Sequence, residues 1–221
     1  MTPKVYGIYG SPPFGAVLMC ANVLEIKLDI EIVNILGKAH LQEDFVQKNP
    51  QHTVPLLDDG GFLLADSHAI NGYLVGTYGS KNDPLYPKDD IKRRALIDHR
   101  MYLDCGIIAA RGFVITRPLG LNDIQPVQRS FDDLKEGFTI LDRQIKQENS
   151  KYIVGNQLSI ADFSITSSVT CWGVFVKNWE NEFPNIKAYI DRMKQESWFE
   201  VHTEGINAFQ RFISAKLKVA L

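Results

Sequence analysis

The chain carries the stretch Asn49-Pro50-Gln51-His52-Thr53-Val54-Pro55-Leu56-Leu57 just before a predicted β-hairpin. A proline cannot donate a hydrogen bond to a sheet, so Pro55 is expected at the first residue or the edge of a strand. A cis Val54-Pro55 bond would turn the N–H and C=O groups of Val54 outward, where they could pair with a bound peptide as an added strand does. The stretch therefore predicts a ligand cradle built from backbone groups.

A helix start is predicted a few residues later, at Asp66-Ser67-His68-Ala69-Ile70. Asp or Ser before the first apolar helical residues is a good N-cap. A helix N-terminus offers free N–H groups and partial positive charge to a carboxylate. The two segments together predict a site that holds a small anionic peptide by its backbone and its carboxylate. Either segment alone fits an ordinary cis-proline turn or an ordinary cap equally well.

Composition limits the classes of partner. The chain has 221 residues, of which 45% are hydrophobic, and its 24 Lys and Arg nearly balance its 26 Asp and Glu. No global field favours nucleic acid or an anionic membrane, so we expect a small molecule or another protein as partner. The cysteines Cys20, Cys105 and Cys171 lie too far apart in sequence to indicate a disulfide framework or a metal site. No signal peptide or membrane span is evident, and we expect a cytoplasmic protein.

The first 80 residues predict a thioredoxin-like α/β domain. A strand is indicated where β-branched and aromatic residues cluster, and a helix where apolar residues recur at helical spacing. The predicted elements are a strand from Val5 to Tyr9, a helix opened by Pro12-Pro13, a strand from Asp29 to Ile35, a helical turn around Gln42 to Lys48, strands from Val54 to Leu57 and from Phe62 to Ala65 around a turn at Asp58 to Gly61, and a helix from Ser67 to about Tyr78.

The rest of the chain predicts an all-helical unit. Residues 81–90 are rich in proline and charge and indicate a linker, so the predicted division is 1–80, 81–90 and 91–221. Helical periodicity runs from Ile91 to about Arg117 and from Val127 to Glu148, with Pro118 and Pro126 in the predicted gap. Further helices are predicted from the capping-box-like Ser159-Ile160-Ala161-Asp162 through Cys171, and from Pro184 through Met193.

Five motifs lie in order along the chain. They are Ser11-Pro12-Pro13, Asn49 to Pro55, Asp66 to Ile70, Leu85-Tyr86-Pro87-Lys88-Asp89 and Ser159 to Ser164. Each is weak alone, but their order and spacing resemble those of cytosolic glutathione transferases, most closely the insect epsilon class, along essentially the whole chain. The resemblance implies an α/β plus all-α fold, in which a thioredoxin-like N-terminal domain precedes a C-terminal helical bundle.

Ser11 is the predicted catalytic residue. It lies between the first strand and the first helix, where its hydroxyl can donate to a thiolate and the helix adds positive potential. The resemblance implies that Ser11 activates the thiol of glutathione, the co-substrate. The alternative is that Ser11 only caps the helix. Tyr6 and Tyr9 are rival activators, because other classes use a tyrosine near the first strand.

The resemblance also implies how glutathione binds. Val54 would pair with the cysteinyl backbone beside His52, His40 would meet the glycyl carboxylate, and Asp66 with Ser67 would hold the γ-glutamyl end. The full implied set of glutathione-binding residues is His40, His52, Thr53, Val54, Pro55, Asp66, Ser67, His68 and Arg111. No metal or organic cofactor is implied.

A pocket for the electrophile is implied beside the helical unit. Its candidate residues are Pro13, Phe14, Leu36, Ala109, Gly112, Phe113 and Phe209, with Arg111 and Phe212 as further candidates. Phe14-Gly15 and the stretch from Ala109 to Phe113 depart from the class, which has an arginine after the double proline and a bulky Met-Arg stretch in the fourth helix. We therefore expect a wider, more apolar pocket. A glycine inside a helix costs about 1 kcal/mol, so Gly112 hints at a close contact.

The implied function is conjugation of glutathione to hydrophobic electrophiles by a homodimer, in detoxification. One rival is a low-turnover carrier of the ligandin type, and another is a dedicated enzyme of hormone or pigment metabolism. A thiol-disulfide oxidoreductase would need a cysteine where Ser11 stands, and Cys20 lies two to three turns into the predicted helix. Ser159 and Asp162 resemble the folding cap of the family and carry no chemistry.

Overall fold

The computed structural model describes residues 2–218, and its N-terminal half is a four-stranded sheet with three helices. The strands are β1 (Lys4–Gly7), β2 (Asp29–Ile32), β3 (Leu56–Asp59) and β4 (Phe62–Ala65). The helices are α1 (Pro12–Val23), α2 (Glu43–Lys48) and α3 (Ser67–Tyr78), and a 3₁₀ turn spans Ala39–Leu41. The predicted order is confirmed. The third strand begins at Leu56 rather than Val54, because Pro55 cannot join the ladder.

The strands lie in the order β2-β1-β3-β4. β1 runs parallel to β2 and antiparallel to β3, and β3 pairs antiparallel with β4. On one side of the sheet Val5 and Leu57 join the main core beneath α1 and α3. On the other side Tyr6 packs with Val33 and Phe45 in a smaller cluster. This mixed sheet confirms the thioredoxin-like prediction, and β1 ends beside the helix start that carries Ser11.

The C-terminal half is helical throughout the described residues. Its helices are α4 (Ile91–Leu103), a π-helical segment (Asp104–Ala109), α5 (Ala110–Asn122), α6 (Gln128–Glu148), α7 (Ile160–Trp172), α8 (Trp179–Glu182), α9 (Pro184–Met193) and α10 (Thr203–Lys216), with 3₁₀ turns at Gly173–Phe175 and Ser197–His202. None of the helices within residues 2–218 has both the length and the apolar content needed to cross a bilayer.

The long helix predicted from Ile91 to about Arg117 differs from the structure in two ways. The π-helical segment at Asp104–Ala109 divides it, and α5 continues through Pro118 to Asn122. Periodicity alone cannot reveal a π-helical insertion, because the pattern changes phase by only one residue. Pro118 removes one hydrogen bond, to the carbonyl of Val114, and water can satisfy that carbonyl because Val114 is exposed.

The predicted capping box opens α7. The N–H and the hydroxyl of Ser159 both donate to Oδ2 of Asp162 at 2.9 Å. Oδ1 of Asp162 accepts from the N–H of Ile153 at 2.8 Å and from the hydroxyl of Tyr189 at 3.0 Å. Both predicted residues are fully buried. They tie the start of α7 to the preceding loop and to α9, which confirms their structural role.

Helix α7 joins the two halves of the molecule. It packs along α1, and the hydroxyl of Ser167 donates to the carbonyl of Pro12. A Cβ at Gly15 would lie 2.3 Å from Nδ1 of the buried His202, so only glycine allows α1 to approach this closely. The start of α1, which carries Ser11, is therefore held against the helical half by direct packing.

Candidate active site

A cleft lies where the N-terminal unit, which contains the four-stranded sheet, meets α5 and α10. It consists of two adjoining cavities of about 650 Å³ and 350 Å³, called here the outer and the inner cavity. Volumes of this size suit small ligands. The cavities share one wall, formed by Pro12, Gln51, Thr53, Val54, Phe113 and Arg117.

Ser11 lines the inner cavity at the start of α1. Its backbone is extended, with φ −85° and ψ 116°, and its side chain makes no capping hydrogen bond to the helix. Prolines fill the next two positions and have no N–H groups, so the start of α1 offers little backbone donation to an anion. The hydroxyl of Ser11 is thus available as a donor, and the alternative in which Ser11 only caps the helix lacks its hydrogen bond.

The two rival tyrosines have different positions. Tyr6 is 6% exposed, packs edge-on against Phe45 and lines neither cavity. Tyr9 is 39% exposed, lines the inner cavity and packs against Phe14. Only Tyr9 therefore remains as a rival to Ser11 for contact with a bound thiol.

The segment before β3 forms the shared wall. The Val54-Pro55 bond is cis, as predicted. The amide of the buried Asn49 donates to the carbonyl of Thr53 at 2.9 Å, and its Oδ1 accepts from the N–H of Gln51 at 3.1 Å. Asn49 therefore braces the loop that carries Val54. Within residues 2–218 no hydrogen bond occupies the N–H or C=O of Val54, so both can pair with a bound peptide.

Asp66 caps α3, as predicted. Its Oδ1 accepts from the N–H of His68 at 2.9 Å and from that of Ala69 at 3.3 Å. These bonds use two of the N–H groups that the sequence assigned to a ligand carboxylate. Ser67, which is buried and lines the outer cavity, is left as the donor for that carboxylate. Oδ2 of Asp66 has no hydrogen-bond partner among the described residues, and Asp66 lines the outer cavity.

His68 lies between two carboxylates. Its Nδ1 lies 3.2 Å from Oδ1 of Asp66, and its Nε2 lies 3.0 Å from Oδ2 of Asp104, a buried residue of the π-helical segment. Burial alone would lower the pKa of His68, but the hydrogen bonds to Asp104 and Asp66 outweigh it and raise the pKa to about 10. The hydrogen bond from His68 in turn lowers the pKa of Asp66. His68 is an imidazolium at neutral pH, and it links the helical half to the cap of α3.

One group of side chains has spacing compatible with a metal ion. Asp66, His68 and Cys105 each place one ligand-type atom within 4.8 Å of the others. Both ring nitrogens of His68 are engaged by carboxylates, so neither lone pair is free for an ion. The arrangement suits binding of the charged end of a zwitterion better than binding of a metal.

His40 and His52 lie together in the inner cavity. Their ring centroids are 6.2 Å apart, and His40 is 4% exposed with no hydrogen-bond partner for Nδ1 within residues 2–218. Burial lowers the pKa of His40, and the neighbouring His52 lowers it further. A carboxylate between the two rings would supply the missing partner.

Apolar side chains line the rest of the inner cavity. Leu36 comes from the loop after β2, Phe113 from α5, and Phe209 and Phe212 from α10. Pro13 and Ala109 line the outer cavity instead. The predicted apolar residues thus divide between the two cavities, and the largest of them surround the chamber that holds Ser11.

Comparison with known proteins identifies the family. The pattern described as "Glutathione S-transferase, N-terminal domain" matches residues 5–82, and "Glutathione S-transferase, C-terminal domain" matches residues 130–201. Glutathione S-transferase 1 of Manduca sexta is 36% identical over 226 residues, which cover 98% of this chain and 100% of that protein. The chain belongs to the glutathione S-transferase family. This confirms the resemblance that the five motifs carried.

Solved glutathione S-transferases share the whole fold. An epsilon-class enzyme from the housefly, Musca domestica, has a TM-score of 0.90 at 38% identity and covers 98% of this chain and 100% of its own. A homologue from Drosophila mojavensis with bound glutathione has a TM-score of 0.86 at 36% identity, with 98% of each chain covered. The first of these similarities supports the predicted relation to the epsilon class.

Two residues predicted for the electrophile pocket of this glutathione S-transferase lie outside both cavities. Phe14 is 1% exposed, and its ring fills the space above Gly7, where a Cβ would lie 2.3 Å from Cδ2 of Phe14. A Cβ at Gly112 would lie 2.3 Å from Cδ2 of the fully buried Trp172. The hint of a close contact at Gly112 is confirmed. The assignment of Phe14 and Gly112 to the pocket is wrong, because both are packing residues of the core.

Arg111 is the third misplaced prediction. Its guanidinium donates to the carbonyl of Asp133 at 2.6 Å and pairs with Glu136 at 2.9 Å. Arg111 therefore faces α6 and lines neither cavity, so the structure contradicts its assignment to glutathione binding. Trp172 occupies the space at Gly112, and Arg117 supplies a cation that lines both cavities.

Sequence reasoning missed several cleft residues of this family member. Among them are Gln51, Asp104, Cys105 and Arg117. Arg117 lies four residues after Phe113, and that spacing on one helix face could have indicated it. Asp104 and Cys105 reach the cleft through the π-helical segment, for which the sequence has no clear signal.

Proposed function

We propose that this protein is a serine-activated glutathione transferase that conjugates glutathione to hydrophobic electrophiles in detoxification. The observation that carries the proposal is Ser11, whose hydroxyl makes no capping bond and lines a cavity walled by Leu36, Phe113 and Phe209. A hydroxyl that can donate a hydrogen bond to a thiolate therefore lies in the wall of an apolar chamber. That is the arrangement a transferase needs to bring glutathione and an apolar electrophile together.

The magnitude of the effect fits the chemistry. A free thiol has a pKa near ~8.5, and each unit of lowering requires about 1.4 kcal/mol of extra stabilisation of the thiolate. A hydrogen bond to a charged group contributes about 1.5–3 kcal/mol. The single hydroxyl of Ser11 therefore suffices to lower the thiol pKa by one to two units, which makes the thiolate abundant at neutral pH.

We propose that glutathione lies across both cavities. Its cysteinyl backbone pairs with the free N–H and C=O of Val54, which lines the shared wall. Its γ-glutamyl end enters the outer cavity, where Oδ2 of Asp66 pairs with the ammonium and Ser67 donates to the carboxylate. Its glycyl carboxylate lies between His40 and His52, and gives Nδ1 of His40 the partner it lacks.

The domain division and the assembly are part of the same proposal. We assign residues 1–80 to glutathione binding, 81–90 to the linker and 91–221 to electrophile binding. A homodimer is supported by exposed apolar side chains on α4 and on the β3–β4 hairpin, among them Tyr102 at 75% and Phe62 at 49% exposure. Three free cysteines, two of them buried, are in keeping with a reducing cytoplasm.

The thiol-disulfide alternative meets a physical obstacle. Cys20 is fully buried on α1, and burial raises the pKa of its thiol far above the usual range. A group that is neither exposed nor ionised cannot attack a disulfide. The burial of Cys20 therefore argues against the thiol-disulfide alternative.

The test compares Ser11→Ala with Tyr9→Phe and the parent protein, using 1-chloro-2,4-dinitrobenzene as electrophile. Ser11→Ala is expected to lower kcat/KM by about 10- to 100-fold, the equivalent of one charge-assisted hydrogen bond. Ultraviolet difference absorbance should show the pKa of bound glutathione rising by one to two units. Tyr9→Phe should retain the rate and the pKa.

Each other outcome has a definite meaning. Unchanged turnover in Ser11→Ala together with loss in Tyr9→Phe would make Tyr9 the activating residue. Glutathione binding by the parent without any turnover of nitroaryl halides or unsaturated carbonyls would refute the transferase proposal and favour the carrier.

A further inference from the structure

Arg117 is the cation of the cleft that glutathione does not explain. It lies on α5 and lines both cavities, and its guanidinium carbon lies 4.4 Å from the ring centroid of Phe113. Stacking of a guanidinium on an aromatic face fixes its orientation and leaves its N–H donors free at the edge. The pair of Arg117 and Phe113 therefore places a positive charge beside the aromatic side chains of the inner cavity.

No acidic side chain neutralises this corner. Among residues 2–218 none of the ion pairs involves Arg117, whereas Arg111, six residues earlier, is paired with Glu136. The wall of the inner cavity contains no Asp or Glu. In the outer cavity His68 already engages Asp66 and Asp104. Arg117 is therefore the unpaired cation that an anionic group entering the chamber would meet.

The shape of the chamber defines the rest of the ligand. Phe113, Phe209, Phe212 and Leu36 line the inner cavity of about 350 Å³, and the part that the glycyl end of glutathione leaves open suits a small apolar body such as one ring. A guanidinium binds carboxylate and sulfonate oxygens through two parallel N–H donors. An apolar body that carries one anionic group would satisfy both the walls and the corner.

We propose that Arg117 is a specificity-determining residue that selects electrophiles carrying an anionic group on an apolar body. The inference rests on the proposed transferase function and names the substrate class of the same site. Arg117 binds the anionic group away from the reacting carbon, while the aromatic side chains hold the body beside Ser11. Neutral electrophiles bind through the same walls without this contact.

The kinetic test compares two electrophiles with similar reacting centres, neutral 1-chloro-2,4-dinitrobenzene and anionic 4-chloro-3,5-dinitrobenzoate. Each rate is referred to that of the parent protein, so differences in intrinsic reactivity cancel. Arg117→Met, which keeps length and removes charge, is expected to lower kcat/KM for the benzoate by about 5- to 30-fold more than for the neutral halide. Arg117→Lys should recover part of the loss, and added salt should slow only the benzoate reaction. Arg129→Met is the control, because Arg129 lies on α6 outside both cavities.

A binding test makes the inference independent of turnover. The probes are 8-anilinonaphthalene-1-sulfonate and N-phenyl-1-naphthylamine, which share one ring system and differ in the sulfonate. Arg117→Met should weaken binding of the sulfonate probe by about 5- to 30-fold and that of the neutral probe by much less. If the parent binds the sulfonate probe in this way but conjugates no electrophile, the transferase proposal fails while the anion site stands.

Two results would overturn the inference. Equal losses with both electrophiles and both probes would mean that Arg117 only supports Phe113 in packing. A rise in KM for glutathione of the same size with both electrophiles, with sulfonate binding unchanged, would mean that Arg117 holds a carboxylate of glutathione instead.

Discussion

Gly112→Ala tests the packing that shapes the cleft. A methyl group at this position would lie 2.3, 2.5 and 2.7 Å from Cδ2, Cε2 and Cγ of Trp172. Those atoms belong to the inner part of the indole, which is fully buried and packs edge-on against Phe113 at 5.0 Å between centroids. Overpacking of this kind costs about 1–3 kcal/mol, whereas replacing a helical glycine by alanine gains about 1 kcal/mol. Because the ring cannot move away, the overpacking cost should lie at the upper end of its range, and we expect a net loss near ~2 kcal/mol.

Gly76→Ala is the matched control. Gly76 lies on α3, is exposed, and would place a Cβ with nothing within 4 Å. The same substitution should therefore stabilise the protein by about 0.5–1 kcal/mol. In thermal unfolding at one fixed protein concentration, Gly112→Ala should lower Tm by about 4–8 °C and Gly76→Ala should raise it slightly. A Gly112→Ala protein as stable as the parent, beside a stabilised Gly76→Ala, would refute the close contact and its effect on the cleft.

Three further predictions follow from the buried polar groups. The carboxylate of Asp162 accepts four hydrogen bonds, so Asp162→Asn would place an N–H donor where only acceptors fit. Urea unfolding should show the free energy of unfolding lowered by about 2–4 kcal/mol, while kcat/KM of the folded protein stays within twofold of the parent. Burial lowers the pKa of His202 to about 4, so its contribution to stability should be complete above pH 6.5. That contribution should fall by roughly 3 kcal/mol as the pH drops toward 4. In urea unfolding at a series of pH values, His202→Gln should flatten this part of the stability profile. Asp104→Asn removes one carboxylate from His68, whose pKa of about 10 should then fall toward neutrality, so calorimetry should show the glutathione affinity of the variant falling relative to that of the parent as the pH rises from 6 to 8.

Elements with strong local signals could be predicted from the sequence. Helix α3 runs from Ser67 to Tyr78, as predicted, because an Asp cap starts it. The β3–β4 hairpin was predicted because Gly60 and Gly61 suit its turn, and both have positive φ, 63° and 95°. Caps and turns are interactions between near neighbours in the chain, so sequence reasoning finds them.

Contacts across the fold could not be predicted in the same way. The bond from His68 to Asp104 joins residues 36 positions apart and depends on a π-helical segment that shifts the helix phase. The direction of Arg111 depends on the same shift, which turns it toward α6 and away from the cleft. The residues predicted from the N-terminal unit line the cleft, apart from Phe14, whereas Arg111 and Gly112 on α5 do not.

The departures at Phe14-Gly15 and Gly112-Phe113 show why the volume of the cleft could not be predicted from single residues. The ring of Phe14 fills the space above Gly7, and Trp172 fills the space at Gly112. An aromatic ring from another element fills the space at each of these two glycines, so the core is packed at both positions. Arg117 contributes a positive charge to the chamber, whereas Arg111 is paired with Glu136 on α6. The electrophile preference of this enzyme should therefore depend on the charge of the ligand, through Arg117, as well as on its apolar body.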